Sequence, residues 1–303
     1  MDFSNKQLLL APMAGVNDPV FRAICRRMGA CLTYTEMVSS KGLSYKNSKT
    51  QEMIAGLPED KPYVVQLFGK EPEVMAAEAR GLQERLGKDI AYLDINMGCP
   101  ARKVASAGNG AALLQTPEVA AEIVQAVSSA ITLPLTVKMR LLSENEGMAD
   151  TLAFAKLMAC SGAAAITLHG RTAAQFYTGI ANKDAVATLA RHLDVPVIAS
   201  GDVFSYEDMQ EYLQSGASAV MAARGARGNP WIFANHAPSL EEIVSMAKEH
   251  TQRLYDWEPR KLVWMRKHLA WYFKGTPSAV RIRTAVQKAV ALEDYLAILD
   301  GSV

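Results

Sequence analysis

The sequence predicts an α/β fold: a (β/α)8 TIM barrel followed by a small, all-helical C-terminal domain. Three observations carry that prediction. Eight short apolar runs rich in β-branched residues recur between Leu8 and Gly225. Longer segments with helical periodicity separate them. From about Ser239 onward no β-rich run occurs, and the remaining pattern is helical throughout.

The expected strands, in order, are "LLLAP" (8–12), "LTYTE" (32–36), "YVVQLFG" (63–69), "YLDINMG" (92–98), "LTVKMR" (135–140), "AAITLHG" (164–170), "VPVIASG" (195–201) and "AVMAARG" (219–225). Amphipathic segments such as "EPEVMAAEARGLQERL" and "TPEVAAEIVQAVSSAI" lie between them. The second has Thr116 as its expected N-cap and Pro117 at the first helical position, where a missing N–H costs nothing. Strands alternating with helices make βαβ units and a parallel sheet. Eight units suit a closed barrel, although a doubly wound open sheet uses the same units and strand counting leaves both open. "GARGNPWIFANHAPSLEE" (225–242), with Pro230 and Pro238, reads as a connection. The domain boundary is therefore placed between residues 235 and 236. "SLEEIVSMAKEHTQRLYDW", "RKLVWMRKHLAWYFKG" and "AVRIRTAVQKAVALEDYLAIL" form the helical part.

With 303 residues, 50% hydrophobic and 21% charged, the chain can bury a large core. Its net charge of +1 excludes a global field for an acidic partner, so any basic patch must be local. Cys25, Cys31, Cys99 and Cys160 form no C-x-x-C pair and no Cys/His cluster with zinc spacing, so no metal is expected. The amino terminus has no secretory pattern and no apolar run is long enough to span a bilayer. A cytoplasmic protein with no membrane association is expected.

Barrel sites lie at the carboxyl ends of the strands, where the βα loops meet. Those ends here carry Pro12, Met13 and Ala14; Glu36; Gln66; Asn96 and Cys99; Lys138 and Arg140; His169 and Arg171; Ser200, Gly201 and Asp202; and Arg224. So many polar groups on otherwise apolar strands argue for a working site. "ASGD" and "ARGARG" place glycines, backbone N–H groups and Arg224 after strands seven and eight, where barrels commonly hold a phosphate. Tight turns alone would also use those glycines. Lys138, between Val137 and Met139, needs an anionic partner or a shifted pKa. It either pairs with Asp94 or Glu36 or serves a redox ring. Cys99 is open to three readings: nucleophile, acid or small buried hydrophobe. A thiol of ordinary pKa, about 8.5, is mostly protonated at neutral pH and can donate a proton.

Taken together, "LAPMAGVNDPVFR" (10–22), "VVQLFG" (64–69), "DINMGCPARKV" (94–104) with "GNGAALL" (108–114), "VKMR" (137–140), "HGRTAAQFYTG" (169–179), "VIASGD" (197–202), "ARGARGNPWIF" (223–233) and "MRKHLAWYFKG" (265–275) resemble the bacterial branch of the tRNA-dihydrouridine synthases. These are flavin enzymes that reduce uridine in tRNA, and the matching pieces span nearly the whole chain in order. The resemblance implies FMN as cofactor and NADPH as reductant. It puts Pro12, Met13 and Ala14 against the flavin, and Gln66, Lys138 and His169 at its ring or ribityl chain. Ser200, Gly201, Asp202, Ala223 and Arg224 would hold the phosphate end. It makes Cys99 the general acid, with Asn96, Arg140 and Arg171 on the substrate side. Hydride would pass from the reduced flavin to uracil C6, and a proton from Cys99 to C5, on a uridine extruded from the tRNA. Residues 1–235 become the FMN-binding catalytic barrel and 236–303 a tRNA-binding domain, with no obligate protein partner.

The tail supports an RNA partner separately. Between Arg260 and Lys288 lie Arg260, Lys261, Arg266, Lys267, Lys274, Arg281, Arg283 and Lys288, with no Asp or Glu and with Trp264, Trp271 and Tyr272 interleaved. A solvated helix face over an aromatic core gives the same pattern. Three departures from the family pattern stand out: Ser200 where asparagine is usual, "LLSENEGMAD" after "VKMR", and "IANKDAV" where a tryptophan is common. Two rivals follow. A dihydroorotate dehydrogenase-like barrel acting on a free pyrimidine would need no basic tail. A non-catalytic tRNA-binding protein would carry no flavin.

Overall fold

The protein is described from a computed structural model covering residues 7–143 and 147–302. Eight parallel strands close into a barrel: β1 (Gln7–Leu10), β2 (Leu32–Ser39), β3 (Tyr63–Phe68), β4 (Ile90–Met97), β5 (Leu135–Leu141), β6 (Ala165–Thr172), β7 (Val197–Ser200) and β8 (Ala219–Ala222). β1 pairs with both β2 and β8, which decides for the barrel against the open sheet. Every expected strand is present, with ends displaced by a few residues. Helices α1 (Pro19–Arg27), α2 (Ser40–Ser44), α3 (Ser48–Glu52), α4 (Pro72–Leu86), α5 (Arg102–Ala105), α6 (Pro117–Ala130), α7 (Gly147–Cys160), α8 (Lys183–His192) and α9 (Tyr206–Gln214) fill the connections. Thr116 occupies the N-cap of α6, but its side chain makes no capping hydrogen bond; Pro117 alone marks that start.

The pattern of β4 explains how one strand serves two layers. Leu93, Ile95 and Met97 are fully buried in the apolar layer between sheet and helices. Asp94 and Asn96, on the opposite face, point into the barrel. The barrel floor is apolar, built from Leu9, Tyr34, Val64, Tyr92, Ile198 and Met221, with the Tyr34 and Tyr92 hydroxyls 2.7 Å apart. Polar residues form the layer above it. The filled floor makes the barrel a socket open at one end.

The C-terminal part consists of α10 (Leu240–Trp257), α11 (Met265–Tyr272), α12 (Ala279–Ala285) and α13 (Leu292–Asp300). Ser239 and Glu242 form a capping box that starts α10. Leu254, Met265, Leu269, Phe273, Ile282 and Leu299 make its core, which also takes in Val20 and Ile24 of α1 and Trp231 of the connection. The tail is therefore built onto α1. A polar cluster joins them. Asp18 caps α1 through the Phe21 N–H at 2.9 Å and receives His250 Nε2 from α10 at 3.3 Å. His268 Nε2 of α11 lies 3.0 Å from its other oxygen, off the line of a hydrogen bond. All three side chains are shut off from solvent. Among the described residues, no helix is long and apolar enough to cross a membrane.

Candidate active site

The mouth of the barrel encloses about 450 Å³, a volume within the range of small-molecule sites. Its wall brings together Pro12, Met13 and Ala14 from the loop after β1, Gln66 from β3, Asn96 from β4 with Cys99 just beyond it, and Lys138 and Arg140 from β5. His169, Ser200, Gly201, Asp202, Ala223 and Arg224 complete it. Every expected site residue except Arg171 lines this one cavity. The strand carboxylate Glu36 does not line it; it accepts the Gly15 N–H at 2.5 Å and braces the β1 loop.

The cysteine loop is pinned at its start. Asn96 Oδ1 accepts the backbone N–H groups of Gly98 (3.2 Å) and Cys99 (2.9 Å). Arg140 ties this loop to its neighbour, since its Nε donates to the Gly98 carbonyl and its Nη1 to those of Thr172 and Phe176. Cys99 is partly exposed on the cavity wall. Of the other thiols, Cys25 is buried, and Cys31 and Cys160 are exposed away from the cavity.

Lys138 has no carboxylate within ion-pair distance among the described residues; Nζ reaches Ser200 Oγ at 3.4 Å. Burial, then the Arg140 charge, brings its pKa down to about 8, opposed by Asp94. It is thus a cation held over the cavity, not half of a structural pair. Ser200, where the family pattern has asparagine, supplies that contact. Burial, with the charges of Lys138 and Arg140 next, drives His169 down to about 2, so its ring is neutral. Its Nδ1 is buried without a hydrogen-bond partner among the described residues.

The opposite corner gathers Gly201, Asp202, Arg224 and Arg227. Gly201 has φ +118°, and a Cβ there would come within 2.9 Å of the Ala181 Cβ and 3.4 Å of His169 Cε1. Only glycine fits, so the backbone can approach a ligand closely. The Asp202 carboxylate is fully engaged: it accepts from Arg171 Nη1 (2.8 Å) and Nη2 (2.6 Å), Arg224 Nη2 (2.8 Å) and the Ala181 N–H (2.8 Å). Burial raises its pKa, but the Arg171 and Ala181 bonds outweigh that and hold it below the usual range. It steers Arg224 and is not itself a group for an anion. Arg171 is 2% exposed and also donates to the Thr178 and Gly179 carbonyls. It sits behind the wall, as a brace.

Sequence reasoning missed Met37, Phe176, Tyr177, Phe204 and Arg227, which also line the cavity. Tyr177 carries Arg224 at 4.7 Å and Arg140 at 5.6 Å from its ring centroid. Phe176, Tyr177 and Phe204 remain about half exposed at the rim. The quoted "HGRTAAQFYTG" contained the first two. In the tail, Tyr272 is buried, whereas Trp264 is flanked by Lys261 and Lys267. Arg260 and Lys261 meet Glu52, and Arg260 also meets Glu258. Lys274, Arg283 and Lys288 stay exposed. Of the "LLSENEGMAD" departure, residues 144–146 lie outside the described residues.

Residues 9–302 match the model of a family described as dihydrouridine synthase. Among curated proteins, the chain is 37% identical over 310 residues to a "probable tRNA-dihydrouridine synthase" of Rickettsia conorii, covering 97% of this chain and 91% of that one. It is 38% identical to a protein of the same description from Rhizobium leguminosarum, covering 98% and 96%. It is 37% identical to "tRNA-dihydrouridine synthase B" of Pseudomonas aeruginosa, covering 91% and 86%.

Proposed function

The chain belongs to the dihydrouridine synthase family, and from that premise we propose that it is a cytoplasmic tRNA-dihydrouridine synthase that binds FMN at the barrel mouth, draws on NADPH and reduces uridines in tRNA to 5,6-dihydrouridine. One observation carries the reading: a partly exposed thiol, a half-buried lysine and an arginine-lined corner share a single cavity.

The cavity fits a flavin. Its neutral His169 ring, glycine cradle at Gly201 and apolar Pro12–Met13–Ala14 face suit a flat heteroaromatic ring with a phosphate tail. A bound flavin, recharged by NADPH, supplies the hydride for uracil C6. The protein's own residues do the rest. Cys99 gives C5 its proton, so the base gains one hydride and one proton and loses its double bond. Lys138 favours negative charge on the ring. Gln66 and His169 contact the ring or ribityl chain. Ser200, the backbone at Gly201, Asp202 and Ala223, and the Arg224 guanidinium hold the phosphate end. Asn96 and Arg140 face the base, while Arg171 acts through Asp202. Residues 1–235 serve as the catalytic barrel. Residues 236–303 serve as the tRNA-binding domain, with Lys274, Arg283 and Lys288 toward the phosphate backbone and no obligate protein partner. The target base must leave its stack to enter.

The test is to map dihydrouridine in tRNA from cells with and without the gene and to record the absorbance of the purified protein. Loss of defined dihydrouridines with a yellow, FMN-bearing protein is expected. Unchanged tRNA, or a colourless protein that does not take up FMN, would refute the reading.

Two further results are expected. Arg224→Met removes a charge-assisted contact worth about 1.5–3 kcal/mol, so FMN affinity should fall about 10–100-fold in a fluorescence titration. An unchanged affinity would put the phosphate elsewhere. Lys138 acts as a cation, and its pKa in the fold is about 8, so activity should decline as pH rises through 8. A pH series of flavin reduction by NADPH, a step that does not use Cys99, should show that limb in the wild type and lose it in Lys138→Met.

A further inference from the structure

We infer that Asp94 is a positioning residue: from beneath the cavity, it fixes the amide orientations of Gln66 and Asn96, so that Gln66 presents an N–H donor to the flavin and Asn96 presents one to the base. The inference rests on the proposed function and deepens it.

Asp94 is fully buried and does not line the cavity. Strand register sets it level with Gln66 on one side and Thr136 on the other. Its Oδ1 accepts the Thr136 hydroxyl at 2.5 Å, and its Oδ2 accepts Gln66 Nε2 at 2.6 Å. Drawing the Gln66 NH2 group downward turns Oε1 toward Asn96, whose Nδ2 donates to it at 2.8 Å. Asn96 Oδ1 then accepts the Gly98 and Cys99 N–H groups. The chain has a fixed direction. Backbone N–H groups can only donate at the Asn96 end, which sets the direction, and Asp94, whose pKa burial raises to about 7, accepts from Gln66 at the other. Flipping either amide would set oxygen against oxygen or N–H against N–H. Among the described residues each amide keeps one N–H unspent, and both residues line the cavity, beside the Lys138 ammonium. The Asn96 donor suits a carbonyl oxygen of uracil. It opposes the exocyclic amino group of cytosine, which would meet donor with donor. The same chain anchors the backbone N–H of Cys99, so the thiol and the groups that hold the base are placed by one buried carboxylate.

The test uses the full-length holoenzyme. In Asp94→Ala, oxidation of the pre-reduced enzyme by tRNA should slow about 100-fold, the scale of misplacement by an ångström. Reduction by NADPH and FMN affinity should change less, within about tenfold, because the phosphate corner is untouched. Asp94→Asn, whose side-chain oxygen still accepts from Gln66, should recover at least about tenfold of the lost rate. Alkylation of Cys99, followed by peptide mass spectrometry, should change with Asp94→Ala and return toward wild type with Asp94→Asn. Asp94→Leu stands in if the alanine variant does not fold. Equal loss in both half-reactions, no effect of Asp94→Ala, or an asparagine variant as impaired as the alanine one would overturn the inference. If the wild type forms no dihydrouridine, the proposed function fails, and the alkylation pattern alone decides the role of Asp94.

Discussion

Replacing Cys99 with alanine is expected to slow dihydrouridine formation by about 10²–10⁴-fold, the usual contribution of a positioned general acid. FMN content should not change, because the contacts proposed for the flavin come from other strands. Cys99 is the only one of the four thiols on the cavity wall, so Cys31→Ala and Cys160→Ala should leave the rate unaltered. Cys99→Ser keeps a proton on a smaller, less acidic group and should fall between. The loss should appear in the rate at saturating tRNA more than in the apparent affinity, since proton transfer belongs to the transition state. Single-turnover assays on matched flavin-loaded samples measure this. A Cys99→Ala enzyme within a few-fold of wild type would remove the thiol from the mechanism.

The second large effect is on stability. Asp18→Ala should cost about 3–5 kcal/mol, the usual result of stripping one partner from a buried charged cluster. The change removes the cap of α1 and leaves His250 and His268 facing each other inside the protein. Adding His268→Leu should cost less than the sum of the two single changes, because it replaces a stranded polar ring with an apolar one. Urea unfolding of the variants decides this, and a loss below about 1 kcal/mol would deny the cluster its role. The cluster also sets an acid limit. Burial, then the neighbouring His250, holds the His268 pKa down to about 4, so the fold binds that proton less readily than the unfolded chain does. Stability from this group is present at neutral pH and falls as pH drops from about 6.5 toward 4. Burial raises the Asp18 pKa, but the two histidines outweigh it and hold it well below the ordinary value, which extends the loss below pH 4. The same packing changes how the tail can be tested. Deleting residues 236–303 uncovers Val20, Ile24 and Trp231 and strands Asp18, so surface substitutions at Lys274, Arg283 and Lys288 probe tRNA binding more cleanly than truncation.

Strand order and the cavity residues were legible because barrel geometry sends the ends of all strands to one mouth, so position along each strand is enough. What lay behind the wall was not legible. Arg171 lies in β6 as His169 does, yet it turns away to Asp202, a pairing between segments 31 residues apart that no local spacing encodes. Asp94 stood in plain alternation with Asn96, but its partners Gln66 and Thr136 come from two neighbouring strands. The acid-free stretch from Arg260 to Lys288 overstated the basic surface, because Glu52 arrives from the barrel to meet Arg260 and Lys261. The histidines of α10 and α11 carried no signal until the helices brought them to Asp18.

The most direct trial of the account is anaerobic mixing of the reduced holoenzyme with unmodified tRNA, following flavin absorbance and dihydrouridine together. The account predicts that the absorbance of oxidised flavin returns at the same rate as dihydrouridine forms, one for one. A flavin that stays reduced in the presence of that tRNA, or one that is reoxidised without forming dihydrouridine, would contradict it.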